Sequence, residues 1–247
     1  MPDRRLIIVG CATGIGAAGA RRLAADGWRL GLIDIAEEPL SEVAEDVGAV
    51  AAIVADAADP GALTAAVDEA ITALGGLDAA WSNVGVQTTG GVEDATVEDL
   101  DRCYSLNVRA HFVLAQRAVP TLREAGGGAL LVTASNAGVQ TEDRLVTYAA
   151  TKASAVALAR LLARDQAGDG IRVNALCPGF VDTPFNAPVW SNFGGRERFL
   201  AEIGKSIPLG RMATPEEIAD LVAFIFGPAA TYITGQAIIA DGGETVA

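Results

Sequence analysis

The chain alternates short apolar runs with longer stretches in which apolar residues recur every three or four positions. The runs at 6–9, 30–34, 49–54, 79–83, 129–133, 172–176 and 237–240 read as strands. Between them, 17–26, 39–47, 60–74, 97–125, 147–167 and 215–226 carry helical periodicity. Strands that are apolar on both faces must be covered on both, and helices that link them make neighbouring strands parallel. With right-handed crossovers, the pattern predicts an α/β, single-domain, doubly wound Rossmann fold, whose mostly parallel seven-stranded sheet has helices on both faces. Residues 1–247 read as one dinucleotide-binding domain, without an internal repeat or a linker. One helix start is written out in Thr214-Pro215-Glu216-Glu217, which offers a cap hydroxyl, a proline at the first helical position and a glutamate three after the cap. Residues 179–205 form the longest irregular stretch, rich in glycine, proline, asparagine and aromatics, and read as a substrate loop.

Composition narrows the function. Half of the 247 residues are apolar and a fifth are charged, which suits a packed domain. A net charge of −13 argues against nucleic acid or an anionic membrane as partner, since both require a basic face. No run reaches the roughly 18–20 apolar residues of a membrane helix, and no secretory leader is visible in the opening residues. Cys11, Cys103 and Cys177 lie far apart and suggest neither disulfides nor a zinc site, so a reduced, cytoplasmic setting is expected. A single histidine, His111, leaves no metal-ligand set and reads as a packing residue.

After the first strand comes Val9-Gly10-Cys11-Ala12-Thr13-Gly14-Ile15-Gly16-Ala17-Ala18-Gly19. Two glycine patterns overlap here, Gly10-xxx-Gly14-x-Gly16 and a G-x-G-x-x-G over Gly14, Gly16 and Gly19. Glycines at a strand-to-helix turn let backbone approach a pyrophosphate, and the helix N-terminus offers free N–H groups. Thr13 and Ile15 fall within the same turn. Asp34 ends the second strand, where a carboxylate accepts hydrogen bonds from an adenosine ribose, with Ile35 beside it. Its charge repels a 2′-phosphate, and the turn carries no arginine or lysine, so NAD is the expected cofactor. Asp56 and Ala57, at the end of the third strand, can reach an adenine; Asp56 reads equally well as a helix-leading aspartate.

Tyr148-Ala149-Ala150-Thr151-Lys152 puts a phenol and an ammonium one turn apart on one helix face. Free tyrosine titrates near 10, and lowering that by ~3 units takes roughly 4 kcal/mol of differential stabilisation, within reach of a nearby cation. Taken alone the pair could be an exposed helix pair. Ser135, just past the strand 129–133, adds a hydroxyl at the carboxyl end of the sheet, where ligands bind in open α/β folds.

Taken together, these motifs resemble the short-chain dehydrogenase/reductase family in its compact form of about 250 residues, over essentially the whole chain. The glycine turn matches at Gly10, Gly14 and Gly16, and the family's Asn-Ala-Gly segment at Asn83, Val84 and Gly85. Its Asn-Ser-Tyr-Lys tetrad falls on Asn107, Ser135, Tyr148 and Lys152, and its Pro-Gly step on Pro178 and Gly179. Val181 and Thr183 follow, Thr183 in the nicotinamide-amide position. Val9 and Val84 depart from the usual threonine and alanine, at positions that act through backbone or packing. The resemblance implies that Tyr148 is the proton donor and acceptor and that Ser135 orients the substrate oxygen. It implies that Lys152 binds the nicotinamide ribose and lowers the tyrosine pKa, and that Asn107 positions a water behind Lys152. A homotetramer is implied as well, with 229–240 and the helix 215–226 as candidate interface. The expected reaction is hydride transfer between NAD(H) and a secondary alcohol or ketone, apolar or cyclic. Gln140, Phe180, Phe185 and Trp190 are candidate substrate residues, with Phe193, Asn136 and Asn186 nearby in sequence. Two rival readings are an NADPH-dependent ketoacyl or keto reductase, disfavoured by Asp34, and a non-catalytic nucleotide sensor, which would not need the serine, tyrosine and lysine together.

Overall fold

The computed structural model describes residues 4–190 and 194–247. Seven strands form one sheet: β1 Arg4–Val9, β2 Trp28–Asp34, β3 Ala51–Val54, β4 Ala79–Ser82, β5 Gly128–Thr133, β6 Ile171–Pro178 and β7 Ala237–Ala240. Their order is β3-β2-β1-β4-β5-β6-β7, and all six pairings are parallel, so the sheet is wholly parallel rather than mostly so. The chain runs outward from β1 to β3, then returns to place β4 beside β1. A ligand crevice opens at such a reversal, outside the carboxyl ends of the strands.

Alternation along β1 shows why both faces are covered. Leu6 and Ile8 enter one apolar core with Trp81, Leu176 and Val222, whereas Ile7 and Val9 enter the other with Val67, Leu114 and Val173. Helices α1 (Gly14–Ala25), α2 (Glu37–Val47) and α9 (Pro215–Phe226) close the first core. Helices α3 (Pro60–Leu74), α5 (Ala110–Glu124) and α6 (Val146–Gln166) close the second. The start of α9 is a capping box, in which Thr214 Oγ1 accepts from Glu217 N and Glu217 accepts from Thr214 N, with Pro215 in the first turn.

Two expected elements differ. The long helix expected over 97–125 is α4 (Val97–Tyr104) and α5, joined by a π-helical turn over Ser105–Arg109 that contains Asn107. One extra residue in that turn shifts the helix phase and aims Asn107 into the interior. The stretch 179–205 is largely helical, with a 3₁₀ turn at Pro184–Asn186, α7 at Ala187–Trp190 and α8 at Arg196–Ser206. Phe193 lies outside the described residues. Among the described residues, no helix is long and apolar enough to cross a membrane.

Candidate active site

A cleft of about 530 Å³ runs along the carboxyl ends of the strands, from the glycine turn to Tyr148. At one end, Gly10 adopts φ +86° directly beneath Val84. A Cβ there would stand 2.8 Å from Val84 N, so only glycine lets the two turns meet. Gly16 sits behind this surface and does not line the cleft; a Cβ on it would reach within 2.0 Å of the Gly10 oxygen. Thr13 caps α1 without a side-chain hydrogen bond, and no acidic residue occupies the helix's first turn, so its amides face the cleft open to an anion. Gly19 packs against the Trp81 ring and is a packing glycine.

Asp34 fastens this turn. Its Oδ2 accepts from Ala12 N at 2.9 Å and its Oδ1 from Ala36 N at 3.0 Å, and the carboxylate still lines the cleft. Ile35, Asp56, Ala57 and Ala58 line the same end, with no lysine or arginine among them. Asp56 also accepts from Ala58 N at 2.8 Å, while Asp59 caps α3, so the helix-leading role falls to Asp59. Asn83 joins the strand ends: its Nδ2 donates to Gly10 O at 2.8 Å and its Oδ1 accepts from Thr133 Oγ1 at 2.9 Å. Thr133 in turn accepts from Trp81 Nε1 at 2.9 Å.

At the other end Ser135, Tyr148 and Lys152 come together. Ser135 follows β5, and Tyr148 and Lys152 stand one turn apart on α6; all three are buried and line the cleft. Burial pushes the Tyr148 phenol above its ordinary value, and a hydrogen bond with Ser135 partly opposes this. Burial also pushes the Lys152 ammonium down, to about 8. Its Nζ donates to Thr133 O at 2.9 Å and stands 5.7 Å from the Tyr148 ring centroid. Burial, rather than the neighbouring ammonium, sets the direction of the Tyr148 phenol. The desolvation of both groups outweighs an ammonium that is already held by a carbonyl.

Asn107 is fully buried one layer behind. Its Oδ1 accepts from Val86 N at 2.9 Å, and its Nδ2 donates to Val86 O at 3.0 Å and to Thr151 Oγ1 at 3.0 Å. It clamps the segment after β4 and does not itself line the cleft. A Cβ on Gly85 would stand 3.1 Å from both Asn107 Oδ1 and Lys152 Nζ, which explains the glycine between them.

Pro178, Gly179, Val181 and Thr183 line the cleft beyond β6, Thr183 against Gly14. The aromatics divide. The Phe185 ring lies 6.3 Å from that of Tyr148 and faces the cleft. Phe180 lines the cleft but also packs on Phe199, with 5.6 Å between ring centroids. Trp190 does not line it; with Val189, Phe199 and Ile203 it builds a small separate core under the loop. Gln140 does not line it either, and its amide points at Glu142. Asn186 donates to Val181 O at 2.7 Å and Asn136 to Glu244 Oε2 at 2.8 Å. Among the lining residues that sequence reasoning missed are Gln87, Arg102 and Glu142. Glu142 had a signal, since it falls in the short segment between Ser135 and Tyr148. His111 is buried behind β4 with its Nδ1 2.6 Å from Ser82 Oγ, a packing position.

Comparison with known proteins agrees with this arrangement. Residues 10–245 match a family model described as enoyl-(acyl carrier protein) reductase. Cyclohexanol dehydrogenase of Acinetobacter sp. (strain SE19) is 33% identical over 244 residues, covering 97% of this chain and 94% of the relative. Among solved structures, a short-chain dehydrogenase/reductase from Serratia marcescens superposes with TM-score 0.90 at 35% identity, covering 98% of each chain. The 3-ketoacyl-(acyl-carrier-protein) reductase from Brucella melitensis, complexed with NADH, superposes with TM-score 0.89 at 29% identity, again over 98% of each chain. A glycine turn facing a buried Ser-Tyr-Lys cluster across a wholly parallel sheet, matched along nearly its full length, places the chain in the short-chain dehydrogenase/reductase family.

Proposed function

We propose that the chain is an NAD-dependent oxidoreductase that interconverts a secondary alcohol and its ketone, with Tyr148 carrying the proton. The observation that carries this reading is the convergence of Ser135, Tyr148 and Lys152 in the cleft that begins at the glycine turn. Gly10, Thr13, Gly14 and Ile15 would hold the pyrophosphate on the N-terminus of α1, and Asp34 with Ile35 the adenosine ribose. Asp56 and Ala57 would flank the adenine. Asn83, Val84, Gly85, Pro178, Gly179, Val181 and Thr183 would line the nicotinamide half, and Tyr148 and Lys152 its ribose. When bound, the cofactor accepts or supplies the hydride.

The chain's own residues manage the oxygen and its proton. Ser135 Oγ and the Tyr148 hydroxyl hold the substrate oxygen between them. In reduction the neutral phenol, already favoured by burial, gives its proton to the forming alkoxide. In oxidation the phenolate takes the hydroxyl proton, and Lys152 supplies the positive charge that favours that form. Phe185 closes the apolar side against the substrate carbon and excludes water. A ring-bearing alcohol suits this wall, in keeping with the cyclohexanol named for one relative.

The test is a cofactor-reduction assay over secondary and cyclic alcohols with wild type and Tyr148→Phe. Loss of the general acid/base should lower turnover at least ~100-fold with NAD binding kept. Turnover by the variant within a few-fold of wild type would reject Tyr148. We also propose that the protein assembles as a homotetramer through 229–240 and α9, a reading supported by fully exposed Tyr232 and by Phe224 and Ile239, which remain over 40% exposed.

A further inference from the structure

The cleft wall beside Tyr148 carries charge that proton transfer does not require. Glu142 is half-buried and lines the cleft, as do Ala137 and Leu145. Its Oε1 lies 3.5 Å from Gln140 Nε2, at the limit of a hydrogen bond, and its other oxygen has no partner among the described residues. Glu244, near the C-terminus, is close enough to feel its charge. Glu244 Oε2 accepts from Asn136 Nδ2 at 2.8 Å, and Asn136 Oδ1 accepts from Ser135 Oγ at 3.2 Å. Burial raises both carboxyls, Glu244 to about 7, with Glu142 the next cause of that rise. Arg102, on α4, lines the same cleft, and its guanidinium has no hydrogen-bond partner among the described residues.

A carboxylate needs a donor, and a hydroxyl supplies one. A hydroxy acid would meet Glu142 as a like charge, and an ammonium would meet Lys152. A plain monoalcohol would leave Glu142 desolvated with nothing to bind. We propose that Glu142 sets substrate choice, and that the substrate is a neutral polyol whose second hydroxyl donates to Glu142 while Tyr148 and Ser135 hold the reacting one. The inference rests on the alcohol-oxidoreductase reading above. Glu142 could instead serve only to anchor its turn through Gln140, and the test separates the two roles.

The test compares kcat/KM for cyclohexanol with that for cis- and trans-cyclohexane-1,2-diol under saturating NAD, in wild type, Glu142→Gln and Glu142→Leu. Sites that hydrogen-bond a substrate hydroxyl discriminate strongly against the analogue lacking it. Wild type should favour one diol by at least about tenfold. In Glu142→Leu the ratio should fall to within about twofold, chiefly through a higher KM for the diol. Glu142→Gln, which can still accept, should keep part of the preference. Equal use of diol and monoalcohol by wild type overturns the proposal, as does a ratio unchanged in Glu142→Leu. Such results leave the alcohol-oxidoreductase reading standing. If wild type oxidises none of the three alcohols nor any other in the wider panel, that underlying reading fails and this one with it.

Discussion

Lys152 Nζ donates to the main-chain oxygen of Thr133 at 2.9 Å, so a buried ammonium hangs from the end of β5 with no ion-pair partner among the described residues. This arrangement costs stability. The folded protein binds that proton less tightly than the unfolded chain does, about 8 against 10.5. Between those values the unfolded state holds more protons, so stability climbs as pH rises across the window, and the full cost is borne below it. The depression corresponds to roughly 3 kcal/mol, set against about 1 kcal/mol for the hydrogen bond to Thr133. Lys152→Met should therefore raise the melting midpoint at pH 7 by a few degrees, while catalysis is lost. Calorimetry at pH 7 and pH 10 should show the gain shrinking at the higher pH. A Met variant that is less stable than wild type at pH 7 would contradict this account.

The raised Tyr148 phenol gives the two reaction directions opposite pH slopes. Oxidation needs the phenolate, so its kcat should rise through the alkaline range, while reduction uses the phenol and should hold at neutral pH and fall late. Paired pH profiles in both directions check this. Parallel profiles would point to a different proton carrier.

We expect Asp34, which lines the cleft with Ile35, to decide cofactor choice. NAD should bind at least tenfold more tightly than NADP. Asp34→Ala with Ile35→Arg should narrow or invert the ratio. Because Asp34 also accepts from the amides of Ala12 and Ala36, the variant should lose some NAD affinity through a loosened glycine turn. Fluorescence titration of both cofactors measures it, and equal affinities in wild type would exclude the role given to Asp34.

Much of this was legible in the sequence because the fold obeys a simple periodicity. The alternation of Leu6, Ile7, Ile8 and Val9 between two cores is what a doubly covered strand requires, and the glycines at 10, 14 and 16 mark a turn that no other residue would fit. Other features were hidden because they depend on phase and on long-range contact. The π turn at Ser105–Arg109 keeps the helical pattern of its flanks while rotating Asn107 inward. Glu244 meets Asn136 across more than a hundred residues, and no local pattern announces such a pair. Trp190 looked like a substrate residue because its loop is aromatic, yet aromatics in a long excursion also supply the core that holds it in place.

That division yields a prediction for residues 179–205. Phe185 faces the cleft next to Tyr148, whereas Trp190 packs with Val189, Phe199 and Ile203. Phe185→Ala should raise KM and alter the ranking of alcohols, with NAD affinity little changed. Trp190→Ala should instead leave the ranking intact and make the segment easier to cleave, since it removes an anchor. Limited proteolysis with and without NAD, alongside kinetics on three alcohols, separates the two. A change of ranking in Trp190→Ala with unchanged cleavage would reverse the assignment.

The last expectation concerns assembly. Tyr232 is fully exposed, and Phe224 on α9 and Ile239 on β7 are each more than 40% exposed, although they belong to the elements that end the sheet. β7 is an edge strand, paired only with β6, and its neighbouring surface is apolar where a free edge is usually guarded by charge. A two-fold interface here would cover the edge and the aromatics of both copies at once, because an isologous contact sets the same patch against itself. A second exposed set, Tyr104 on α4, Phe112 on α5 and Leu161 on α6, lies on other helices and would provide the second contact that a tetramer needs. Light scattering at micromolar concentration should give four copies, and Phe224→Glu with Tyr232→Glu should yield dimers held by the remaining contact. A monomeric wild type, or a double variant that stays tetrameric, would rule out this interface.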